Sequence, residues 1–600
     1  RASENTPYTN EVIVAPENAS YLILNDKKTG CVSLKGELIK VTVDNLLADV
    51  QKLQNRYAPI YYANEHGITT ESEDIIPALN ALSLTAHNNG GGTIIFNPGT
   101  YNVKPDFATS SFNTSNIIQL YSNVSLVGIG SVKFMIPDHY ETDFHCLVTD
   151  NGQYSSNTKD VVIDNIFFDM NPLNNSLVYG DGFNREAIRI HKSENIVIKN
   201  CKFQTHAIHA INARCGEGIA EIDESVKKGI FPNRNIHIVD NEFTFVTVPN
   251  ATYYDNTMVV IRCNGGEVRG NTFEGVNNWT GHNTFGSFNT ALEVSGFDVD
   301  IFDNEIKNYL LGIDVGSGNT QDVSKAIRVH HNYFNRVARG VGLWAHNRGS
   351  NEQGLVVNKG TSITHNTFLL APELDSGRYN KHICSAVTCI LNYTDSTDLI
   401  KSIEISHNYI SMTEEGNAKI VGYNGSTLSA LLDTVTQYRT MQVMDFDCYF
   451  NGIGILGCAE IYNANIHNNT FENIACTAIY VGGYRIHNTR VCDNNFINCG
   501  NFGSRAVVNC TGNQSNIVMK NNNLYDTVSK EQATRTFVAL TRGYWGKYQP
   551  EMVDGVPVHS VDAYSADNVD KTSFGKCVFE ANEQMADYVT YSNDFGDFIN

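Results

Sequence analysis

The 600-residue sequence has no long hydrophobic run, and no stretch approaches the roughly 18 apolar residues of a transmembrane helix. It is also poor in basic residues, since 43 Lys and Arg stand against 64 Asp and Glu, for a formal charge of −21. That acidic balance argues against a nucleic-acid partner. The 14 cysteines form no Cys-x-x-Cys pair and no zinc-type spacing with histidine, so we expect reduced thiols, no metal site and no cofactor.

A repeated motif is the dominant positive feature of the sequence. An alternation of aliphatic residues is followed by an asparagine and, two positions later, by a large apolar residue. The motif copies occupy residues 195–203, 235–243, 266–273, 298–306, 326–334, 362–368, 402–410, 463–471, 488–496 and 515–524.

Aligning the copies predicts one asparagine column, in which Cys201 takes the asparagine position once and to which we expect Asn165 to belong. Its other members are Asn241, Asn271, Asn304, Asn332, Asn366, Asn408, Asn469, Asn495 and Asn522. Their spacing varies between 26 and 61 residues, which is too irregular for most helical repeats, and the period-2 alternation is typical of strands. An all-β, right-handed parallel β-helix accounts for both observations, because insertions fall in loops while asparagines stack at a corner.

A second strand accompanies most motif copies and places two acids side by side. Leu292-Glu293-Val294 and Ile313-Asp314-Val315 each hold a carboxylate between aliphatic residues. If the aliphatic residues point inward, Glu293 and Asp314 point outward from strands about 4.8 Å apart. The same outward column is predicted to contain Arg189, His209 and Val260, followed two residues later by His191, Arg262, Ser295 and Gly316.

Two like charges at this spacing raise the pKa of one carboxyl group, which suits glycosidic hydrolysis. Because its side chain is longer, we assign Glu293 as proton donor and Asp314 as nucleophile or base. Arg262 then holds Asp314 ionised or binds an acidic sugar. The alternative is that both are surface acids on a solvated sheet. Asp445 and Asp447 are a second candidate pair, because alternation places both on one face.

Two other functions use the same surface. A polysaccharide lyase requires a base and a cation for a uronate, and His209, Arg262 and Arg189 are candidates. A non-catalytic adhesin requires only a groove and aromatic platforms, for which Tyr309, Trp344 and Tyr480 are the predicted sugar-binding residues. A half-buried core position is the alternative for Trp344.

The ends of the chain differ from the repeats. Apolar residues between Val43 and Tyr57 follow a two-turn heptad pattern, which predicts a short coiled neck or a single amphipathic helix. A helix at about 74–87 is expected to cap the solenoid. We therefore divide the chain into a linker and neck (1–60), a β-helix (61–530) and a C-terminal cap or trimerisation segment (531–600).

Residues 61–103 resemble the opening signature of pectate-lyase-like β-helix proteins, in which an acidic pair precedes a helix, a glycine triplet and Pro-Gly-x-Tyr. The matching residues are Glu73-Asp74, where the family usually has Asp-Asp, then Gly90-Gly91-Gly92, and Pro98 to Tyr101. The motifs of polygalacturonases and pectate lyases and the calcium-binding β-helix repeat are absent.

Within that superfamily the chain most resembles bacteriophage tailspike depolymerases. The resemblance implies a homotrimer that cleaves a capsule, exopolysaccharide or O-antigen of the host and that resides on the virion tail, outside the cell. The chain begins at Arg1 without a signal peptide, so we expect a missing N-terminal part that attaches to the tail or baseplate.

The neck and the tailspike resemblance together predict a homotrimer. Multi-angle light scattering at micromolar concentration should give three times the chain mass of 66.5 kDa. A stable monomer under these conditions contradicts the prediction.

Overall fold

The structure is a computed structural model in which parts of the chain are described. The described residues are 59–106, 116–142, 144–150, 157–175, 186–205, 209–214, 231–246, 256–275, 289–316, 324–344, 356–371, 384–390, 399–413, 451–474, 477–499, 506–515, 518–525 and 535–541, with six short strands elsewhere. Those strands are Tyr21–Leu22, Val32–Ser33, Met552–Val553, Val556–Pro557, Val578–Phe579 and Val589–Asn593. The chain forms two compact units, Arg1–Pro59 and Ile60–Asn600.

The second unit is a parallel β-helix, as the sequence predicts. Each described strand of its main sheet pairs in parallel with the corresponding strand one coil later, and these pairings follow three faces. Face A precedes face B, and face B precedes face C, in each coil. Some long strands bend across two faces.

Face A comprises Ile60–Tyr62, Gly92–Phe96, Val124–Gly128, Thr158–Asp164, Ser193–Lys199, Arg234–Val239, part of Asn256–Arg269, part of Asn289–Phe302, Ser324–Lys325, Arg328–His330, Val356–Lys359, Ser362–Thr364, Leu399–Lys401, Glu404–Ser406, the ends of Ile453–Tyr462, Ile479–His487 and Ala506–Ser515, Asn465–His467, Arg490–Cys492, Val518–Lys520 and Val578–Phe579. Face B comprises Gly99–Asn102, Val132–Met135, Phe167–Asp169, Lys202–Thr205, Glu242–Phe245, Thr272–Glu274, the first parts of Glu305–Val315 and Tyr333–Trp344, Thr367–Leu370, Tyr409–Met412, Thr470–Glu472, Asn495–Ile497 and Asn523–Tyr525.

Face C comprises Ile118–Leu120, Cys146–Asp150, Glu186–Arg189, Ile211–Ala213, the first parts of Asn256–Arg269 and Asn289–Phe302, the ends of Glu305–Val315 and Tyr333–Trp344, Ser385–Ile390, the first parts of Ile453–Tyr462, Ile479–His487 and Ala506–Ser515, then Arg535–Thr541 and Val589–Asn593. The last two strands pair in parallel beyond residue 530. Met552–Val553 with Val556–Pro557, and Tyr21–Leu22 with Val32–Ser33, form separate antiparallel pairs.

A ladder of buried asparagines lies at the corner between faces A and B. Asn304 is typical: its carboxamide oxygen accepts hydrogen bonds from the Asn271 backbone at 3.0 Å and the Asn271 side chain at 2.9 Å. Its own amide donates to the Val268 carbonyl at 2.9 Å and to the Asn332 side chain at 2.9 Å. The ladder therefore satisfies backbone groups that the turn removes from the strand pairing.

The structure corrects the alignment at two positions. Asn494, not Asn495, occupies the ladder, because its side-chain oxygen accepts from the Asn469 backbone at 3.0 Å whereas Asn495 is exposed. Asn165 lies one residue before the ladder position, with φ of 54°, and bonds to the carbonyls of Gly128 and Gly130. The motif places the ladder asparagine two positions before the large apolar residue, and before Phe496 that position is Asn494.

The interior is filled by the apolar residues that follow the ladder. Phenylalanines of successive coils stack with ring centroids 4.4 to 5.1 Å apart, as in the pairs Phe203–Phe243 and Phe334–Phe368. The described cysteines Cys146, Cys201, Cys263, Cys384, Cys492 and Cys499 are buried thiols. Burial raises the pKa of the Cys201 thiol to about 12, consistent with a small core residue.

A helix extends over Ile76–Asn88, at the position where a capping helix is expected, and a short 3₁₀ helix over Ala63–His66. In the longer helix, the side chains of Ile76, Leu79, Leu82 and Ala86 belong to the same buried cluster as the first strands. No helix in the described part of the chain is long and apolar enough to span a membrane. The heptad segment ending at Tyr57 lies outside the described residues, and the domain divisions at 60 and 530 remain predictions.

Replacing Asn494 and Asn495 separately by leucine tests the corrected register. Asn494→Leu should lower the free energy of unfolding by about 1–3 kcal/mol, because it leaves buried backbone groups without partners. Asn495→Leu, the matched control on the exposed side of the strand, should change it by less than about 0.5 kcal/mol. Chemical denaturation measures both, and equal effects contradict the ladder assignment.

Candidate functional site

Glu293 and Asp314 lie next to each other on face C. The strands Asn289–Phe302 and Glu305–Val315 pair in parallel with Glu293 directly opposite Asp314. Their neighbours Leu292 and Ile313 are fully buried in the core, so the alternation places both acids on the other side of the strand. Each acid is only 8% exposed, so they lie in a largely buried setting rather than on an open sheet.

The acids belong to a column of register partners along face C. In chain order the column contains Thr149, Arg189, Asn212, Val260, Glu293, Asp314, Gly342, Thr388, Gly454, Tyr480 and Asn509. Arg189 and Val260 occupy their predicted places. Asn212 occupies the place predicted for His209, because the strand in that coil is Ile211–Ala213 and begins after His209.

Two arginines from preceding coils approach Glu293. Arg214 Nη2 lies 3.4 Å from Glu293 Oε2, and Arg262 Nη2 lies 3.9 Å from Glu293 Oε1. Both guanidinium groups are largely buried. Arg262 comes from the adjacent coil, since its register partner is Ser295, two residues after Glu293. These ion pairs offset the cost of removing the Glu293 carboxylate from water.

A second buried ion pair lies at the N-terminal end of the column. Glu186 is fully buried, Arg189 Nε lies 3.1 Å from its Oε2, and Asn212 Nδ2 donates to its Oε1 at 2.6 Å. Burial raises the pKa of Glu186, while Arg189 and Asn212 act in the opposite direction. Asn212 also accepts a hydrogen bond from the Arg214 backbone at 3.1 Å, which links the two ion pairs.

His209 is fully buried and does not face outward from the column, which corrects the prediction that it lies beside Arg189 on the outer surface. Its Nδ1 is 2.6 Å from the Thr257 carbonyl oxygen and therefore donates to it. Burial, followed by the charge of Arg214, lowers the pKa of His209 well below its usual value. A neutral buried imidazole of this kind is a poor base.

A different histidine lies at the edge of the site. His191 follows the strand Glu186–Arg189, and its Nδ1 is 2.9 Å from Asp150 Oδ1. Asp150 Oδ2 also accepts from the backbone of His191 and Lys192 and from the Ser193 hydroxyl. Although burial acts to raise it, these hydrogen bonds hold the pKa of Asp150 below its usual value. The ionised Asp150 fixes the orientation of the His191 ring.

The three predicted aromatic platforms have different outcomes. Tyr309 is fully buried in the core cluster, and burial raises its pKa, so it offers no surface to a sugar and that prediction is wrong. Tyr480 has its register partners in the outward column, four coils after Asp314, but it is only 5% exposed and belongs to the same buried cluster, so it offers little surface to a sugar. Trp344 ends its strand opposite Ile390, and its side chain lies outside the described part, as do Asp445 and Asp447.

Sequence reasoning missed Arg214, Asn212 and the Asp150–His191 pair. A signal for Arg214 exists, because Asn212-Ala213-Arg214 matches Val260-Ile261-Arg262 when Ile211 is aligned with Val259. Asp150 has no such signal, since its role depends on a turn in the next coil. No group of three or more metal-binding side chains occurs among the described residues.

No protein-family profile and no curated protein matches this sequence. Solved structures do match. The tailspike protein of E. coli bacteriophage HK620, as a variant in complex with a pentasaccharide, is 12% identical with a TM-score of 0.51 over 80% of this chain and 76% of that one. This chain therefore shares the parallel β-helix fold of that tailspike.

A further HK620 tailspike variant gives a TM-score of 0.51 at 12% identity, covering 88% of this chain and 83% of that one. The Streptococcus pneumoniae surface adhesin PfbA gives 0.47 at 13% identity, over 81% of this chain and 100% of that one. At these identities the tailspike similarity establishes the β-helix fold and leaves the chemistry of face C to its own residues.

A double-mutant cycle tests the Arg214–Glu293 ion pair. Arg214→Met should lower the free energy of unfolding by about 1–3 kcal/mol, because a buried carboxylate loses a partner. The double variant with Glu293→Gln should be less destabilised than the sum of the single variants, by at least about 0.5 kcal/mol.

Lys202→Met is the matched control for that cycle, because Lys202 pairs with Glu242 on the surface, where both side chains are more than half exposed. It should change stability by less than about 0.5 kcal/mol. Strict additivity of the Arg214 and Glu293 effects in denaturant titrations contradicts the coupling.

Proposed function

We propose that this protein is a phage tailspike that binds and depolymerises a bacterial surface polysaccharide, either a capsule, an exopolysaccharide or an O-antigen. The reaction is glycosidic hydrolysis on face C, with Glu293 and Asp314 as the carboxylate pair. The observation that carries the proposal is their direct register pairing on adjacent strands. Retaining and inverting hydrolases both act through two carboxyl groups on either side of the scissile bond.

The tailspike fold supports the substrate class, because one matched tailspike was solved in complex with a pentasaccharide. Trimeric assembly and attachment to a phage tail or baseplate follow from the same proposal. The proposed binding residues on the acid-bearing face are Arg189, Arg214 and Arg262. These arginines would contact an acidic sugar or its neighbouring hydroxyl groups.

The ion pairs of Glu293 favour a revised division of roles. The longer side chain of Glu293 favours it as the proton donor, but its carboxylate lies within 4 Å of two guanidinium groups. A carboxylate paired with two guanidinium groups fits the role of nucleophile or base, because that role carries the negative charge which the arginines can face. Asp314 then donates the proton to the leaving oxygen, and Arg214 and Arg262 position Glu293.

A lyase reaction is the second candidate, and the Asp150–His191 hydrogen bond favours it. With Nδ1 donating to Asp150, the other ring nitrogen, Nε2, carries the lone pair that a base requires. His191 would remove the proton next to the carboxylate of a uronic acid, the C–H electrons would form a double bond, and the glycosidic oxygen would leave. The arginines would stabilise the carboxylate during this step. A non-catalytic adhesin is the remaining alternative.

The reaction is tested on a panel of purified bacterial polysaccharides with the full chain. Hydrolysis produces new reducing ends without a new ultraviolet absorbance, elimination produces both, and an adhesin binds without producing either. On the polysaccharide that is cleaved, Glu293→Gln and Asp314→Asn should each reduce the rate at least about 100-fold, because each removes an acid–base or nucleophilic group while keeping the shape.

Glu305→Gln is the control, because Glu305 is an exposed carboxylate on face B, at the start of the strand that carries Asp314 on face C. It should retain the parent rate, and all three variants should still bind the polysaccharide. Unchanged cleavage by both active-face variants contradicts the proposal and makes Asp445 and Asp447 the next pair to test. If the parent protein releases an absorbing product and His191→Asn no longer cleaves, the lyase is supported instead.

A further inference from the structure

Three exposed histidines occupy equivalent corner positions in successive coils. His331, His365 and His407 each immediately precede a ladder asparagine. Their rings are stacked almost in parallel, with centroids 5.1 Å apart at 6° for His331 and His365, and 4.8 Å apart at 3° for His365 and His407. We call these three residues the histidine column.

The backbone at this corner explains which residues can form such a column. The three histidines have φ of 55°, 57° and 57°, in the left-handed region where few side chains other than Asn, Asp and His are common. In other coils the same corner position is filled by Asn165, Asn200, Asp240, Gly270, Asp303, Asn468, Asp493 and Asn521. Three consecutive coils thus carry a titratable ring where asparagine, aspartate or glycine serves elsewhere.

Further imidazoles flank both ends of the column. His330 meets His331 at 89°, with their Nδ1 atoms 3.0 Å apart, and His467 meets His407 at 81°. The Asn468 amide lies 3.3 Å from His407 Nε2. One ring nitrogen in the His330–His331 contact has to act as acceptor, which requires at least one neutral ring.

The charged groups around the column pair mainly with its flanks. Asp300 contacts Arg328 and lies 3.8 Å from His330, and Asp298 also contacts Arg328. Glu404 contacts His467, and Glu472 contacts the Tyr409 hydroxyl. Asp303 occupies the corner one coil before His331, and its charge favours protonation of His330.

Within the column, each proton added to one ring repels the next. Partial burial, followed by the charges of His407 and His331, lowers the pKa of His365. Burial and His331 lower that of His330. A base with a lowered folded-state pKa contributes stability above its unfolded pKa of about 6.5, and that stability is lost as the pH falls through the folded value.

We propose that the histidine column is an acid-sensitive contact between coils. Neutral rings stack and hold the corner over residues 331–407 together, whereas a column of adjacent cations pushes the same coils apart. Acidification below about pH 6.5 therefore weakens this region of the β-helix first. The device is independent of the reaction proposed for face C.

The test compares the full chain with the triple variant His331→Asn/His365→Asn/His407→Asn. Asparagine is the residue that the fold itself uses at this corner, so the variant keeps the backbone conformation. Thermal unfolding should show that the midpoint of the parent falls by at least about 2 °C more than that of the variant between about pH 7.5 and pH 5.5. Hydrogen exchange should locate the change at the backbone amides of Asn332, Asn366 and Asn408.

A second experiment is designed to increase the sensitivity of the unfolding midpoint to acid. Asn468→His extends the column by one ring beside His407 and should increase the acid-dependent fall in the unfolding midpoint. Asn521→His, the matched control, places a single histidine beside Asp493 and should not increase it. Histidine titration by NMR in the parent should give a lowered pKa for His365.

The proposal is overturned if the triple variant loses as much stability on acidification as the parent. It is also overturned if Asn468→His and Asn521→His behave alike, or if His365 titrates at or above its ordinary pKa. The NMR titration and the Asn468 variant decide the matter even if the triple variant fails to fold.

Discussion

The carboxamides of the ladder asparagines, one per coil from Asn241 to Asn522, make the interaction on which the rest of this β-helix depends. At the corner between faces A and B the chain leaves its strand direction, and backbone N–H groups lose their strand partners. The Asn332 oxygen accepts from the backbone of Asn304, and its amide donates to the Ile301 carbonyl and to Asn366. Because every link joins two coils, the ladder sets their relative register as well as satisfying the turn.

Register at that corner determines which side chains meet on face C. A shift of one residue between two coils would exchange the core side of a strand with its outer side. With the ladder in place, Leu292 and Ile313 remain in the core, and Glu293 stands opposite Asp314. Three largely buried arginines then become compatible with the fold, since Glu186 and Glu293 lie close enough to compensate them.

The fold was accessible from the sequence because its strongest signals are local and repeated. Alternation together with Asn-x-Phe identifies both the strand and the corner, and the same reasoning pairs Glu293 with Asp314. The prediction failed at His209, because residues 207–213 contain two overlapping apolar alternations. Only the neighbouring strands show that Ile211–Ala213 is the strand that pairs. The prediction also failed at Tyr309 because an aromatic residue near a bend of the strand faces the core, which alternation alone does not reveal.

The contacts of the acidic site were the least accessible part. Arg214 reaches Glu293 across 79 positions of sequence, and Asp150 meets His191 across 41. Such pairs depend on loop lengths that set which residues begin each strand, and no local pattern encodes them. The asparagine position in residues 488–496 was different, since the information was present and the alignment used the wrong one of two adjacent asparagines.

The spacing between faces A and B has an evolutionary consequence. From Asp164 to Phe167 onward through Lys520 to Asn523, two residues separate the face A strand from the face B strand in each described coil. The connections around face C range from unbroken strands to a segment of forty residues between Met412 and Ile453. Whole loops beside the acidic site can therefore be exchanged in evolution without any change to the asparagine corner.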